Sequence, residues 1–253
     1  MNITNHSKIF KNIAQKYLSA SDHAYQLKIK HTREVIRITS LLADKLNLDQ
    51  KQVFIAKLAA LYHDLGRFYQ YGNYRTFHDS ESINHAEASI NIIEEYSIFN
   101  DLDEVTKDLI IIAIREHNQK VLSNNLAPIE KSFSQLLRDS DKISNFPIFI
   151  KNYDSYTRPI SGIYRNDLMD SILNFLPISN TQGNLITIED IYLYHLSWVN
   201  DLAYLASFEY VTKTQYLEKI LERISNNKVY ATLSEHFINL KDGHRFCNKF
   251  GDC

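Results

Sequence analysis

The chain has 253 residues, and 28 Lys and Arg against 30 Asp and Glu leave a formal net charge of −2, so no global field draws it to nucleic acid or an anionic membrane. Six Gly and four Pro make about 4% of the residues, where average usage of the two is about 12%, which argues against turn-rich β sandwiches and collagen-like repeats. With 44% apolar and 23% charged residues, the chain also lacks the composition that keeps a polypeptide unfolded. It reads as helical, with length for one large domain or a domain with a sizeable appendage. No stretch approaches ~20 uncharged apolar residues and no secretory h-region opens the sequence, so the expectation is a cytoplasmic protein. Cys247 and Cys253 are too few and too close to the end for a disulfide framework.

Helical spacing begins clearly at Lys30–Leu46, where His31, Val35, Ile38 and Leu42 share one face and Asn47 with Asp49 supplies a stop and a new N-cap. The next helix runs through VFIAKLAALYHDLG; Ala56, Ala59 and Ala60 permit close approach, and Gly66 is placed to end it in a left-handed cap. Residues 67–84 have no clean period and read as a long connection. A third helix is predicted from Asn84 to Tyr96, with His85 in its first turn. A fourth spans Leu102–Asn118 and puts Ile110, Ile114 and His117 on one stripe. A fifth, Ser132–Lys151, aligns Leu137, Asp141, Ser144 and Ile148.

Pro159, Gly162, Pro177 and Gly183 interrupt residues 152–184, which places the domain boundary there: a helical core over 1–151 and a C-terminal helical extension over 152–253 packed on it. In the extension, IEDIYLYHLSWVNDLAYLASFEYV and TQYLEKILERI read as two helices. His195, Trp198 and Asp201 recur at three-residue intervals on the first, as either a pocket-capping face or a packed face with a buried indole. His236, His244, Cys247 and Cys253 match no common zinc spacing.

The chemistry lies in where the histidines fall. His31, His63, His85 and His117 each sit on or at the end of a separate predicted helix, joined by Asp64 and Asp141. A lone histidine on an apolar helix face is more often a hydrogen-bonded core residue than a ligand. An aspartate at a core-facing helix position, by contrast, needs a cation or donors to offset its desolvation.

The order His31, His63-Asp64, Asp141 resembles the HD-domain metal-dependent phosphohydrolase superfamily, and HDLGR at 63–67 is similar to the HDIGK string of its dinuclear branch. His85 and His117 stand in the order of that branch's two extra histidines. LYHDLGRFYQYGNYRTF and SINHAEASI resemble bacterial HD-domain proteins without an assigned substrate, over about residues 25–150. The resemblance implies an all-α HD-domain helical bundle in which His31, His63, Asp64 and Asp141 bind one metal while Asp64 bridges to a second held by His85 and His117. Two divalent transition ions (Fe, Mn, Co, Ni or Zn) suit such nitrogen and carboxylate donors, and the implied reaction is attack of a metal-activated hydroxide on a small phosphorylated substrate, a nucleotide for preference.

The sequence also departs from the family's subgroups. Arg67 replaces the lysine of HDIGK, keeping the charge but making a poor proton donor, so its expected catalytic part is electrostatic. The doubled histidine of the HD-GYP subgroup is His117-Asn118 and its GYP string is missing, which disfavours that activity. LGRF after the HD pair lacks the acid of the mononuclear nucleotidases. Arg33, Arg75, His78 and Lys142 are candidate substrate-binding residues, with Tyr71 and Tyr74 as stacking partners. The expected partner is a small phosphorylated molecule, with no membrane or extended nucleic acid and with homo-oligomerisation left open. An HD-type di-iron oxygenase and a nucleotide-binding regulatory module with a structural metal are the rival readings.

Overall fold

The computed structural model describes residues 3–155, 157–176, 178, 185–240 and 246–251. Pro177, Gly183, His244 and Cys253 lie outside the described residues. Among the described residues the chain is all-α, with no strand beyond an isolated bridge between Tyr204 and Cys247. None of the described helices is long and apolar enough to cross a membrane. The chain divides into two compact units, Met1–Asp141 with Lys249–Cys253, and Lys142–Asn248.

In the first unit, α1 (Ile3–Tyr17), α2 (His23–Lys45), α3 (Gln50–Tyr62), α4 (Leu65–Tyr74), α5 (His85–Glu95) and α6 (Glu104–Glu116) precede α7 (Pro128–Asn152), whose first half belongs here. Local chemistry sets the helix starts. The Asp22 carboxylate accepts from Ala24 N to begin α2, Asp49 and Gln52 form a reciprocal capping box on α3, and Asp103 accepts from Thr106 N to begin α6. Asn84 accepts from Ala86 N and Glu87 N, which puts His85 at the first position of α5. The α3 helix is the central element: Phe54, Ile55, Leu58, Ala59, Ala60, Leu61 and Tyr62 are all buried, a helix apolar around its circumference rather than along one stripe. It packs on α2, α6 and α1.

Two predicted features come out differently. Residues 65–74 form α4 rather than the start of a long connection, and only 75–84, with a single 3-10 turn at Asp79–Glu81, link it to α5. Gly66 is not a left-handed cap. The α3 helix ends at Tyr62 with His63 in right-handed backbone, and Gly66 lies inside α4. A glycine is needed there because α5 crosses directly over it: a Cβ would stand 2.2 Å from His85 O and 2.6 Å from Ser89 N. At Gly72 the same holds against Tyr17 O, at 2.5 Å. The signal in the sequence was therefore helix crossing, not helix termination.

The second unit holds the rest of α7, then α8 (Asn166–Leu173), α9 (Ile188–Asn200), α10 (Leu205–Lys213), α11 (Tyr216–Leu221) and α12 (Asn227–Leu240). The segment read as one helix over residues 188–211 is two, broken after Asn200. Within this unit His195 is buried and in ring contact with its neighbours, whereas the Trp198 indole is half-buried rather than buried. Phe149 stacks on His195 at 4.2 Å between ring centroids and meets Trp198 edge-on at 5.2 Å, and Tyr153 Oη lies 2.9 Å from His195 Nδ1.

Burial pushes the His195 imidazole down to about 3 from its ordinary 6.5. Between those pH values the unfolded chain binds a proton that the folded chain does not, so stability is lost as pH falls below about 6.5. The loss is about 1.4 kcal/mol per pH unit. His195→Gln should remove that share of the slope in thermal melts from pH 7 to pH 4; an unchanged slope in the variant would refute the assignment.

Candidate metal centre

Four helices of the first unit and the break between two others bring the six predicted ligands to one place. His31 comes from α2, His63 and Asp64 from the break between α3 and α4, His85 from the start of α5, His117 from the end of α6 and Asp141 from α7. His31 Nε2 lies 3.0 Å from Asp141 Oδ1 and 3.5 Å from Asp64 Oδ2. His63 Nε2 is 3.7 Å from Asp64 Oδ2 and 3.8 Å from Asp141 Oδ1. On the other side, His85 Nε2 is 3.5 Å from Asp64 Oδ1 and 3.0 Å from His117 Nε2. Donor atoms of His31, His63 and Asp141, and of His63, Asp64 and His117, form two groups each within 4.8 Å.

The hydrogen bonds fix what these rings can do. His63 Nδ1 donates to Ala60 O at 2.9 Å and His117 Nδ1 to Ile114 O at 2.6 Å, since a carbonyl can only accept. His85 Nδ1 donates to Asp79 Oδ2 at 2.6 Å. Each neutral ring then presents a bare lone pair at Nε2. The His63 lone pair is buried with no hydrogen-bond partner, and those of His85 and His117 face each other with no proton to share. Protonation does not resolve this, because burial pushes His63 and His85 below their ordinary values and His117 to about 3. A metal cation does.

The carboxylates are correspondingly ionised. Burial would raise Asp64, but the Lys28 ammonium beside it, with Arg67 behind, outweighs burial and holds it well below the usual range. Burial would likewise raise Asp141, and the hydrogen bond from His31 dominates in the opposite direction. Neutral imidazoles with charged carboxylates are the protonation states that transition-metal binding requires.

Two partners of the cluster were missed in the sequence. Asp79 orients His85, and is itself held by Arg67 Nη1 at 2.8 Å and Gln70 Nε2 at 2.9 Å. It is the acid of a second His-Asp pair, His78-Asp79, six residues before His85; the histidine of that pair drew attention and the aspartate is the one that enters the site. Lys28 Nζ donates to Asp64 Oδ2 at 2.8 Å. It precedes His31 by three residues and so shares its helix face. Outer partners of metal-binding histidines are worth about 10–100-fold in affinity. Asp79→Ala should therefore weaken metal binding at the His85 side by about that factor in a metal titration, with an unchanged isotherm contradicting the role.

Among the predicted anion-binding residues, Arg67 reaches the cluster, its Nε 3.4 Å from Asp64 Oδ1. The structure does not bring Arg33 there: two residues beyond His31 it lies about 200° round α2 and is exposed. Nor is Arg75 there; it ends α4 in left-handed backbone with φ 56°, exposed, its guanidinium 5.9 Å over the Tyr71 ring. His78 is exposed at the start of the 3-10 turn. Lys142 belongs to the second unit, where its ammonium pairs with Asp201.

A protein-family model described as HD domain matches residues 29–158, just over half the chain and a stretch that includes all six clustered residues. No curated protein and no solved structure matches the chain. The family's members are in general metal-dependent hydrolases. With its helical architecture and its His-Asp cluster at the junction of α3 and α4, the chain belongs to the HD-domain family.

Proposed function

We propose that the protein is a dinuclear metal-dependent phosphohydrolase acting on a small phosphorylated compound, a nucleotide for preference. The observation that carries this reading is the set of bare Nε2 atoms of His63, His85 and His117 converging on two ionised carboxylates. One ion would be held by His31, His63, Asp64 and Asp141, and a second by Asp64, His85 and His117. Two such cations, when bound, would supply Lewis-acid charge stabilisation and a more acidic water for attack at phosphorus.

The chain's own residues supply the remaining requirements. Asp64 presents Oδ2 toward His31 and His63 and Oδ1 toward His85, so one carboxylate serves both sides. Arg67 neutralises negative charge beside Asp64 but is anchored by Asp79, Gln70 and Phe77 O, so it acts as fixed charge and not as a proton donor. The Tyr71 and Phe77 rings stack at 4.7 Å, and Phe77 lies next to Lys28. These half-buried aromatic faces beside cationic groups support a base as part of the substrate.

Elemental analysis of protein purified without chelator tests the reading. About two metals per chain are expected, falling to about one in His85→Ala, together with phosphate release from a panel of nucleotides and sugar phosphates. Fewer than one metal, unrestored by adding metal back, would overturn the proposal in favour of a binding module. Bound iron with substrate-dependent oxygen uptake and no phosphate release would replace it with the oxygenase.

A further inference from the structure

We propose that Lys28 is an exchangeable counter-ion of Asp64, which turns to a phosphoryl oxygen of the substrate once that carboxylate holds metal. The inference rests on the dinuclear reading above. The two cations on Asp64 are held very differently. The two protons of Arg67 Nη1 are shared among Gln70 Oε1, Phe77 O and Asp79 Oδ1, whereas Lys28 Nζ has a single carboxylate oxygen as hydrogen-bond acceptor and the Phe77 ring 5.1 Å away.

That oxygen is the contested one. Asp64 Oδ2 lies 3.5 Å from His31 Nε2 and 3.7 Å from His63 Nε2, so a cation taken by these two rings would share this oxygen with Lys28 and repel the ammonium. Lys28 is not locked in place. Its side chain is 16% exposed, on a flexible four-carbon stem that begins one turn before His31. An ammonium displaced from Asp64 remains at the edge of the cluster, and a phosphoryl group bound at the metals is the nearest strong acceptor of a charge-assisted hydrogen bond.

The arrangement predicts opposite effects on two ligands, which a merely structural lysine would not produce. In Lys28→Met, titration with Mn²⁺ should show tighter uptake, by about tenfold, because a competitor for Asp64 is gone. Inorganic phosphate should bind the Mn²⁺-loaded variant about 10–100-fold more weakly than the loaded native protein, the value of a hydrogen bond to a charged group. Lys28→Gln provides the same readouts should the methionine variant misfold by circular dichroism. Changes of both affinities in one direction, or of neither, would overturn the proposal. If the native protein takes up two Mn²⁺ and the variants match it, Lys28 alone is misassigned. If the native protein takes up none, the dinuclear reading falls as well.

Discussion

Asp64→Ala is expected to abolish phosphate release, by more than the ~10–100-fold that loss of an outer partner alone costs a metal site, while circular dichroism remains helical. Asp64 faces both halves of the cluster: Oδ2 faces Lys28, His31 and His63, and Oδ1 faces Arg67 and His85. Its removal should reduce metal content along with activity, since the His31 side and the His85 side each lose a carboxylate oxygen. The alanine variant also leaves Lys28 and Arg67 without the charge they neutralise, which destabilises the fold to some extent. Asp64→Asn separates the effects, because it keeps shape and one acceptor but removes the charge; it should melt closer to the native protein and remain inactive. Phosphate release at the native rate in either variant would end the phosphohydrolase proposal.

Gly66→Ala should lower the stability of the first unit by about 3 kcal/mol, at the upper end of the range for overpacked sites. For a unit of this size that corresponds to a melting temperature roughly 6–12 °C lower. The added Cβ would meet His85 O at 2.2 Å, Ser89 N at 2.6 Å and Ala88 Cβ at 2.8 Å, and two of these are backbone atoms of α5 that cannot swing aside. The clash also falls on the joint that aligns the site. Ser89 Oγ accepts from Gly66 N and shares its one proton between the carbonyls of His63 at 2.8 Å and His85 at 3.0 Å, so one buried hydroxyl ties the α3–α4 break to the first turn of α5. Forcing the helices apart moves His85 away from Asp64. Metal content should therefore drop toward one per chain in the variant, even below its melting temperature. Native stability with two metals would show that α4 and α5 do not approach as described.

What the sequence by itself determined was the helical class, the starts of α3, α5, α6 and α9 to within about two residues, and the identity of the clustered residues. Scarce Gly and Pro, the spacing of Val35, Ile38 and Leu42, and the caps at Asp49 and Asn84 act within a few residues of one another, and such short-range forces can be read from one strand of text. The order of His31, His63-Asp64, His85, His117 and Asp141 was legible because the side chains themselves are diagnostic of metal chemistry.

Only the tertiary structure decided what those residues touch. Arg67 reads as a free positive charge until α4 folds it onto Asp79 and Phe77 O, and Asp79 reads as a loop acid until α5 places His85 against it. Lys28 and Asp64 are 36 residues apart, and Gly66 has its reason in backbone 19 residues further on. The candidates Arg33 and Arg75 lie exposed and outside the cluster for the complementary reason: closeness in sequence to a ligand does not place a side chain beside it. Hydrogen bonds, ion pairs and steric contacts act over a few ångströms of space whatever the separation along the chain, so the geometry of the site came from packing, and its chemistry from the residues packed.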